Sequence, residues 1–235
     1  MQWLINDVDA RISSLAPGMF SYLELTTSRR QLGWIHQLSH MSRGFIQALL
    51  ARVASCGRRS SDDYAYYRDF TRHARLEMLH PIELEDWAVK FGIVGIGDGP
   101  DPGFCQIPAT PETDRLISFC RSVADSGSPD EQVVAMNIVA EGVAYRFFSA
   151  ASGVVRRMGM RWGRFWRDHD DDLEHARIGV SRIGDVDADS EDGARLRAVA
   201  CRALDLFHDA LESWWRSPDL DRIISPGDDP VVLAR

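Results

Sequence analysis

The chain has 235 residues, with 27 Lys and Arg against 35 Asp and Glu and a formal net charge of −8 at pH 7. This acidic balance argues against a nucleic-acid-binding protein, which needs a basic face for phosphates, and the 45% of hydrophobic residues favours a folded globular chain. No apolar run approaches the ~20 residues that span a bilayer, and the start of the chain lacks a secretory signal, so we expect a cytoplasmic protein without membrane or nucleic-acid partners.

The four cysteines lie far apart in the chain and form no C-x-x-C pair. That spacing argues against a zinc ribbon, a thioredoxin-like motif and a covalently attached heme. Scattered thiols in a chain of this length are typical of a reducing cytoplasm. We expect them to be small buried hydrophobic residues rather than ligands.

Helical periodicity runs through almost the whole chain, and no stretch alternates as a strand does. The predicted helices cover about 28–56, 62–92, 112–125, 130–158, 160–183 and 193–216. Glycines and prolines interrupt the pattern over 95–111, and an acidic loop interrupts it over 184–193. The sequence therefore predicts an all-α single domain over 1–235, a bundle of six to seven helices with its core at about 20–216 and a C-terminal tail at 217–235.

The second predicted helix carries polar side chains on the face that should be apolar. Seven residues spaced three and four apart share one stripe of it: Tyr66, Phe70, His73, Glu77, His80, Leu84 and Trp87. A buried carboxylate is costly unless it is paired or bound to a cation, and Glu77 and His80 have the Glu-x-x-His spacing that serves one metal from one helix. His73 is a candidate partner of Glu77 or a further ligand. Pro81 should bend the helix beside this pair because it removes the hydrogen bond to the Glu77 carbonyl.

The helix predicted at 130–158 contains a lone acidic residue. Between Gln132 and Tyr145, Glu141 is the single charged side chain in an otherwise apolar stretch. A glutamate in this setting requires a partner, which is either an arginine such as Arg146 or a cation shared with another helix.

The helix predicted at 160–183 supplies further donors. Asp172 and His175 repeat the carboxylate-x-x-His spacing, with Asp168 one turn earlier and His169 beside it. All four positions fall on or next to the face that Phe165 places toward the core.

Three helices thus bring carboxylates and imidazoles to one interior. The candidate metal ligands are Glu77, His80, Glu141, Asp172, His175 and either Asp168 or His169. Carboxylate and imidazole donors without thiolate suit iron or manganese better than structural zinc. Five or six ligands exceed the needs of one metal with open positions, and they fit two metals with room for dioxygen.

The order and spacing of these residues resemble the heme-oxygenase-like diiron oxidases and oxygenases, whose helical bundle is shared with heme oxygenase, thiaminase II and pyrroloquinoline-quinone synthase. The matching segments are 76–80, 137–142 and 168–177. The family's last element has the form His-x3-Asp-x2-His. Here Asp168 stands at the first histidine position, so either Asp168 replaces that ligand or His169 serves one residue out of register.

The resemblance implies a non-heme iron enzyme that holds two Fe(II) per chain, the second one labile, and uses dioxygen as co-substrate. Glu77 and Glu141 would be catalytic. Family members oxidise amino acids, fatty acids and amines by desaturation, carbon–carbon cleavage or N-oxygenation, so the expected substrate is a small, amino-acid-like molecule in biosynthesis. Arg146 or Arg72 would clamp its carboxylate beside Tyr145. An external electron donor and a homodimer are family expectations.

Two alternatives stay open. On the same bundle, a metal-free enzyme like thiaminase II or the quinone-cofactor synthase would use Glu77 and Glu141 as general acid and base. A non-catalytic heme-binding helical protein would instead use His36 as heme ligand, and it would have no need of the carboxylate set.

Overall fold

The computed structural model describes residues 1–26, 31–56, 64–93, 107–161, 163–169 and 172–216, apart from the side chains of Cys56, Ala65 and Asp172. Helices make up most of this part, and it contains no β-strand, which confirms the all-α prediction. The predicted tail and most of the glycine- and proline-rich break lie outside the described residues.

Long helices build the bundle and short ones connect them. The longer helices are α1 (Gln2–Leu25), α2 (Trp34–Cys56), α3 (Tyr64–Glu77), α4 (His80–Lys90), α5 (Pro111–Ser126), α7 (Ala140–Arg157) and α11 (Glu191–Arg216). The shorter ones are α6 (Pro129–Val133), α8 (Arg164–Asp168), α9 (Asp172–His175) and α10 (Val180–Ile183), and a π-helical segment (Val134–Val139) joins α6 to α7.

Helix α1 was not predicted from the sequence. Its residues Leu4, Val8 and Ile12 are buried, and the helix packs against α7 and α11. These apolar residues recur every four positions, which is the spacing of one face of a helix. Polar residues between them dilute the pattern, so the helix depends on its partners for the burial that stabilises it.

The predicted helix over 62–92 is two helices rather than one. Helix α3 ends at Glu77 and α4 begins at His80. Pro81 lies in the first turn of α4, where a missing N–H costs little, but it cannot donate to the carbonyl of Glu77. The expected bend is therefore a complete break, and it separates Glu77 from His80 by a two-residue turn.

The predicted helix over 160–183 is also wrong as a continuous element. The described residues form three short helices, α8 to α10. Gly179 has φ of +82°, and a Cβ there would lie 2.6 Å from Val133 and 2.7 Å from Tyr66. This left-handed residue lies directly before α10, in the break between α9 and α10, where the backbone passes close to two other elements.

Two helix starts agree with the sequence because their caps are local. The Thr110 side chain accepts a hydrogen bond from the Thr113 N–H, and Pro111 follows it. Ser128 and Glu131 form a capping box before α6. The breaks before 112 and before 130 are therefore confirmed, since proline at the first helical position has no N–H to satisfy.

Packed aromatic side chains fill the centre of the bundle. The indole rings of Trp34, Trp166 and Trp214 are at most 1% exposed, and Phe147 contacts the rings of Trp34 and Trp214 edge to face. The continuous stretch Pro129–Arg157 is long and apolar enough to span a bilayer, but 56% of its most apolar window is buried within the fold. Such burial is typical of the core helix of a bundle.

Candidate metal centre

Among the described residues, three groups of three side chains could each hold a metal ion, and the two most buried groups together comprise six side chains. The His80 triad consists of Glu77, His80 and His169, and the Glu141 triad consists of His73, Glu141 and His175. In each triad, one donor atom from each residue lies within 4.8 Å of the other two. The two triads come from α3, α4, α7, α9 and the residue that follows α8.

The His80 triad is held by short hydrogen bonds. The break between α3 and α4 brings Nδ1 of His80 to 2.6 Å from Oε2 of Glu77. Nδ1 of His169 donates to the carbonyl oxygen of Phe165 at 2.6 Å. Since Nδ1 then carries the proton, Nε2 of His169 is the nitrogen with a free lone pair.

The Glu141 triad also contacts Glu77 of the His80 triad. Nε2 of His73 is 3.1 Å from Oε1 of Glu141 and 3.5 Å from Oε1 of Glu77. Nδ1 of His175 is also 3.5 Å from Oε1 of Glu77. The Glu77 carboxylate therefore turns one oxygen toward His80 and the other toward the Glu141 triad.

Several of these donor atoms are buried without a hydrogen bond. Nε2 of His73, Oε1 of Glu77 and Oε1 of Glu141 make none, although the histidine nitrogen is 3.5 Å from the Glu77 oxygen and 3.1 Å from the Glu141 oxygen. The three side chains are at most 6% exposed. Buried polar atoms without partners are rare and call for an explanation such as an ion. Donor atoms that approach one another without hydrogen-bond geometry suit a cation placed among them.

The pKa values of His73 and Glu77 are shifted in directions that favour their charged forms. Burial lowers the pKa of His73, but the carboxylates of Glu141 and Glu77 outweigh this and raise it to about 9. Burial likewise opposes ionisation of Glu77, yet the adjacent imidazoles of His73 and His80 hold the pKa of that carboxyl well below its ordinary value. Without a metal, protons on imidazoles therefore compensate the buried carboxylate charge.

The other two imidazoles are uncharged. Burial and the nearby His80 lower the pKa of His169 to about 3. Burial is also the largest cause of a lowered pKa at His175. Both rings are in the neutral form that binds metals.

The π-helical segment is hydrogen-bonded to the backbone of His175, a member of the Glu141 triad. Asn137, which is fully buried in this segment, donates to the backbone carbonyl of His175 at 3.1 Å. Its amide oxygen accepts a hydrogen bond from the buried Arg52 at 3.0 Å. π-Helical turns occur often at functional sites, and this one ends two residues before Glu141.

Two cavities reach the triads, and they share no lining residue. The polar cavity, about 530 Å³, is lined by His73, His80 and His175 together with charged residues such as Arg72 and Arg164. The apolar pocket, about 60 Å³, meets Glu77, Glu141 and His169. Each cavity thus faces a different set of candidate ligands.

Five of the predicted ligands converge: Glu77, His80, Glu141, His169 and His175. Asp168 does not join Glu77. It is 3.1 Å from Arg164 and lines the polar cavity near His80. His169 therefore joins both Glu77 and His80, whereas Asp168 lies near His80 in a more exposed group with Glu83. Asp172 begins α9, but its side chain lies outside the described part.

From the sequence, His73 is either a partner of Glu77 or a further ligand, because it lies one helical turn before Glu77 on the same stripe. The structure places it in the Glu141 triad.

The predicted substrate residues do not lie together. Arg72 is exposed and lines the polar cavity, whereas Arg146 and Tyr145 line neither of the two cavities.

No protein-family model and no curated protein matches the chain. Among solved structures, it is similar to a TenA homolog from Pseudomonas syringae pv. tomato str. DC3000, with 16% identity over 92% of each chain and a TM-score of 0.68. It is also similar to a domain of unknown function with a heme oxygenase-like fold from Shewanella denitrificans OS217, with 17% identity over 92% of this chain and 90% of that one, and a TM-score of 0.63.

The chain has the heme-oxygenase-like fold. This confirms the fold that the motifs implied. Identities of 16% and 17% establish the architecture alone, and function has to be argued from the site. Within this heme-oxygenase-like bundle, the two triads are the densest group of metal-binding side chains among the described residues.

Proposed function

We propose that the protein is a non-heme iron enzyme that binds two Fe(II) ions and uses dioxygen to oxidise a small organic molecule. The observation that carries this proposal is the pair of adjacent triads, in which Glu77 lies in contact with both. Each triad provides one carboxylate and two imidazoles, the donor set of the 2-His-1-carboxylate iron oxygenases, which leaves coordination positions open.

The residues present fit this metal. Donors are oxygen and nitrogen without thiolate, and three of the donor atoms are buried without hydrogen bonds. Glu77, His80 and His169 would hold one ion; His73, Glu141 and His175 would hold the other. Bound iron supplies the electrons that reduce dioxygen.

The protein chain would position the metal ligands and shield the two glutamates from water. The hydrogen bond from His169 to the Phe165 carbonyl fixes the direction of that imidazole, and the bond from Asn137 holds the backbone of His175. Burial keeps bulk water from most of Glu77 and Glu141, which are 6% and 4% exposed, and this strengthens their electrostatic interactions.

Anaerobic equilibrium dialysis with ferrous iron, followed by elemental analysis, tests the proposal. We expect close to two iron ions per parent chain, and about one in Glu141→Ala or His175→Ala. His208→Ala is the matched control, because His208 is a half-buried histidine of α11 outside both triads. Equal iron in the parent and both triad variants, or no iron in the parent, would overturn it.

A metal-free acid–base enzyme is the second candidate, and the likeness to a TenA homolog favours it. Glu77 and Glu141 both line the apolar pocket, and His73 contacts both carboxylates. This arrangement supports proton transfer by the two glutamates. Turnover that persists in excess chelator, in protein free of iron, would establish this candidate in place of the first.

The heme-binding alternative has no comparable support. His36 is fully buried, and Nε2 of His40 donates to the Ile107 carbonyl. Neither histidine lines the apolar pocket or the polar cavity.

A further inference from the structure

The apolar pocket differs chemically from every other approach to the triads. Helices α2, α5, α7 and α11 supply most of its walls, and its inner end is formed by Glu77, Glu141 and His169. Apart from these three, its polar lining side chains are the Ser42 hydroxyl and the Cys120 thiol. Burial raises the pKa of Cys120 to about 12, so the thiol is uncharged.

No lysine or arginine is among the residues that line this pocket. A carboxylate placed there would lose its hydration without gaining a cationic partner from the walls, which is costly, and Glu77 and Glu141 would repel it. Away from these two glutamates, the walls are apolar apart from Ser42, Cys120 and His169, so they suit an uncharged segment of a ligand.

Its volume narrows the choice further. The pocket holds about 60 Å³, whereas an apolar cavity that accepts benzene measures about 150 Å³. A ring does not fit without displacement of side chains. A slim, unbranched alkyl segment does, and each CH₂ buried there contributes about 0.8 kcal/mol.

We propose that the apolar pocket binds an unbranched alkyl segment of the substrate and that Cys120 on α5 limits its width. As a statement about the reaction, this rests on the proposed function, because it places carbon–hydrogen bonds beside Glu77, Glu141 and His169. As a statement about binding, it needs no metal. An amino-acid headgroup belongs instead in the polar cavity with Arg72, where charges are available.

Calorimetry on the metal-free full-length chain tests the proposal with three probes: 1-hexanol, benzyl alcohol and norleucine. We expect 1-hexanol to bind the parent at least tenfold more tightly than benzyl alcohol does. Cys120→Trp, which fills the pocket, should weaken 1-hexanol binding at least tenfold. Arg72→Ala should leave it unchanged, because Arg72 lines the other cavity.

Cys120→Ala protects the test against simple misfolding. Removing the sulfur widens the pocket, so benzyl alcohol should bind severalfold more tightly than it binds the parent, and a misfolded variant would not gain affinity. Equal 1-hexanol binding by the parent and Cys120→Trp would overturn the proposal. Norleucine binding that exceeds 1-hexanol binding and is unchanged in Cys120→Trp would also overturn it, because the norleucine alkyl chain would then lie outside the apolar pocket.

Iron dialysis on the same samples separates the two proposals. Helix α5 carries none of the triad residues, so the Cys120 variants should load iron as the parent does. Two iron ions without alkyl binding would refute the alkyl pocket alone. Alkyl binding without iron would refute the iron enzyme alone.

Discussion

Glu77 contacts residues of both triads, but the two triads are held together differently. In the His80 triad, a 2.6 Å bond joins Glu77 to His80, and His169 is tied to a backbone carbonyl. In the Glu141 triad, the closest pair is His73 and Glu141 at 3.1 Å, without hydrogen-bond geometry. The first triad is preorganised by its own bonds. In the second triad, the donor atoms do not form hydrogen bonds with one another. Its geometry therefore depends more on a bound ion and on the packing of the helices around it.

The two triads also differ in how far apart their members lie along the chain. Two members of the His80 triad, Glu77 and His80, are three residues apart across one turn, and His169 alone comes from a distant element. His73, Glu141 and His175 lie on α3, α7 and α9, so their convergence depends on how three elements pack. We therefore expect the His80 triad to tolerate distant changes better than the Glu141 triad does.

Glu77→Gln should have the largest effect, because this carboxylate contacts both triads. We expect iron to fall from two ions per chain to none, with an affinity loss beyond the about 10–100-fold that is typical of outer-shell changes. Glu112→Gln, on α5 and outside both triads, is the control for anaerobic dialysis. One ion retained at parental affinity would mean that Glu77 serves one triad only.

His169→Ala and Asp168→Ala form a matched pair of neighbours. His169→Ala should lose the ion of the His80 triad, leaving about one iron per chain. Asp168→Ala should keep both ions, because its carboxylate pairs with Arg164 and is 38% exposed. A surface pair of this kind contributes about 0–1 kcal/mol to stability. The reverse result would place the ligand at the position that the family motif suggests.

His73→Ala tests whether the unassigned histidine is a ligand of the second ion or only a partner of Glu141. As a ligand, its loss should weaken binding of the second ion by more than the about 10–100-fold that is typical of outer-shell changes, and it should leave the first ion unchanged. Ferrous-iron titration by circular dichroism in the near infrared separates the two ions. Two ions bound with parental affinity and an unchanged spectrum would limit His73 to a structural role.

Asn137→Ala should have the smallest effect of the four, and it should act on one triad. The variant loses the bond to the His175 backbone and the acceptor for buried Arg52. We expect about tenfold weaker binding of the second ion and about 1–3 kcal/mol lower stability of the metal-free chain. Denaturant unfolding measures the second quantity. Equal weakening of both ions would remove the distinction between the triads.

Local features of the site were predictable because they depend on neighbours in the chain. The Glu-x-x-His spacing and Pro81 indicate a paired ligand set beside a distortion, and the structure has that pair at a helix break. The lone charge of Glu141 in an apolar stretch indicates a buried glutamate, and it is 4% exposed.

Other features were not predictable in this way. Helix α1 was not predicted because polar residues dilute its buried face, which becomes interior through packing against other helices, chiefly α7 and α11. The choice between Asp168 and His169 depends on how α8 ends. A difference of one residue moves a side chain by about 100° around a helix, so periodicity alone does not decide which of two neighbours points inward.

Helical periodicity and the order of acidic and imidazole residues already specified an all-α chain with buried carboxylates on separate helices, because helix faces and cap residues are encoded over a few neighbouring positions. Packing decided the rest: that His169 joins Glu77 and His80, that His73 contacts Glu141, and that an apolar pocket meets a set of donors different from those in the polar cavity. These outcomes involve segments tens of residues apart, whose approach depends on the shapes of all the side chains between them.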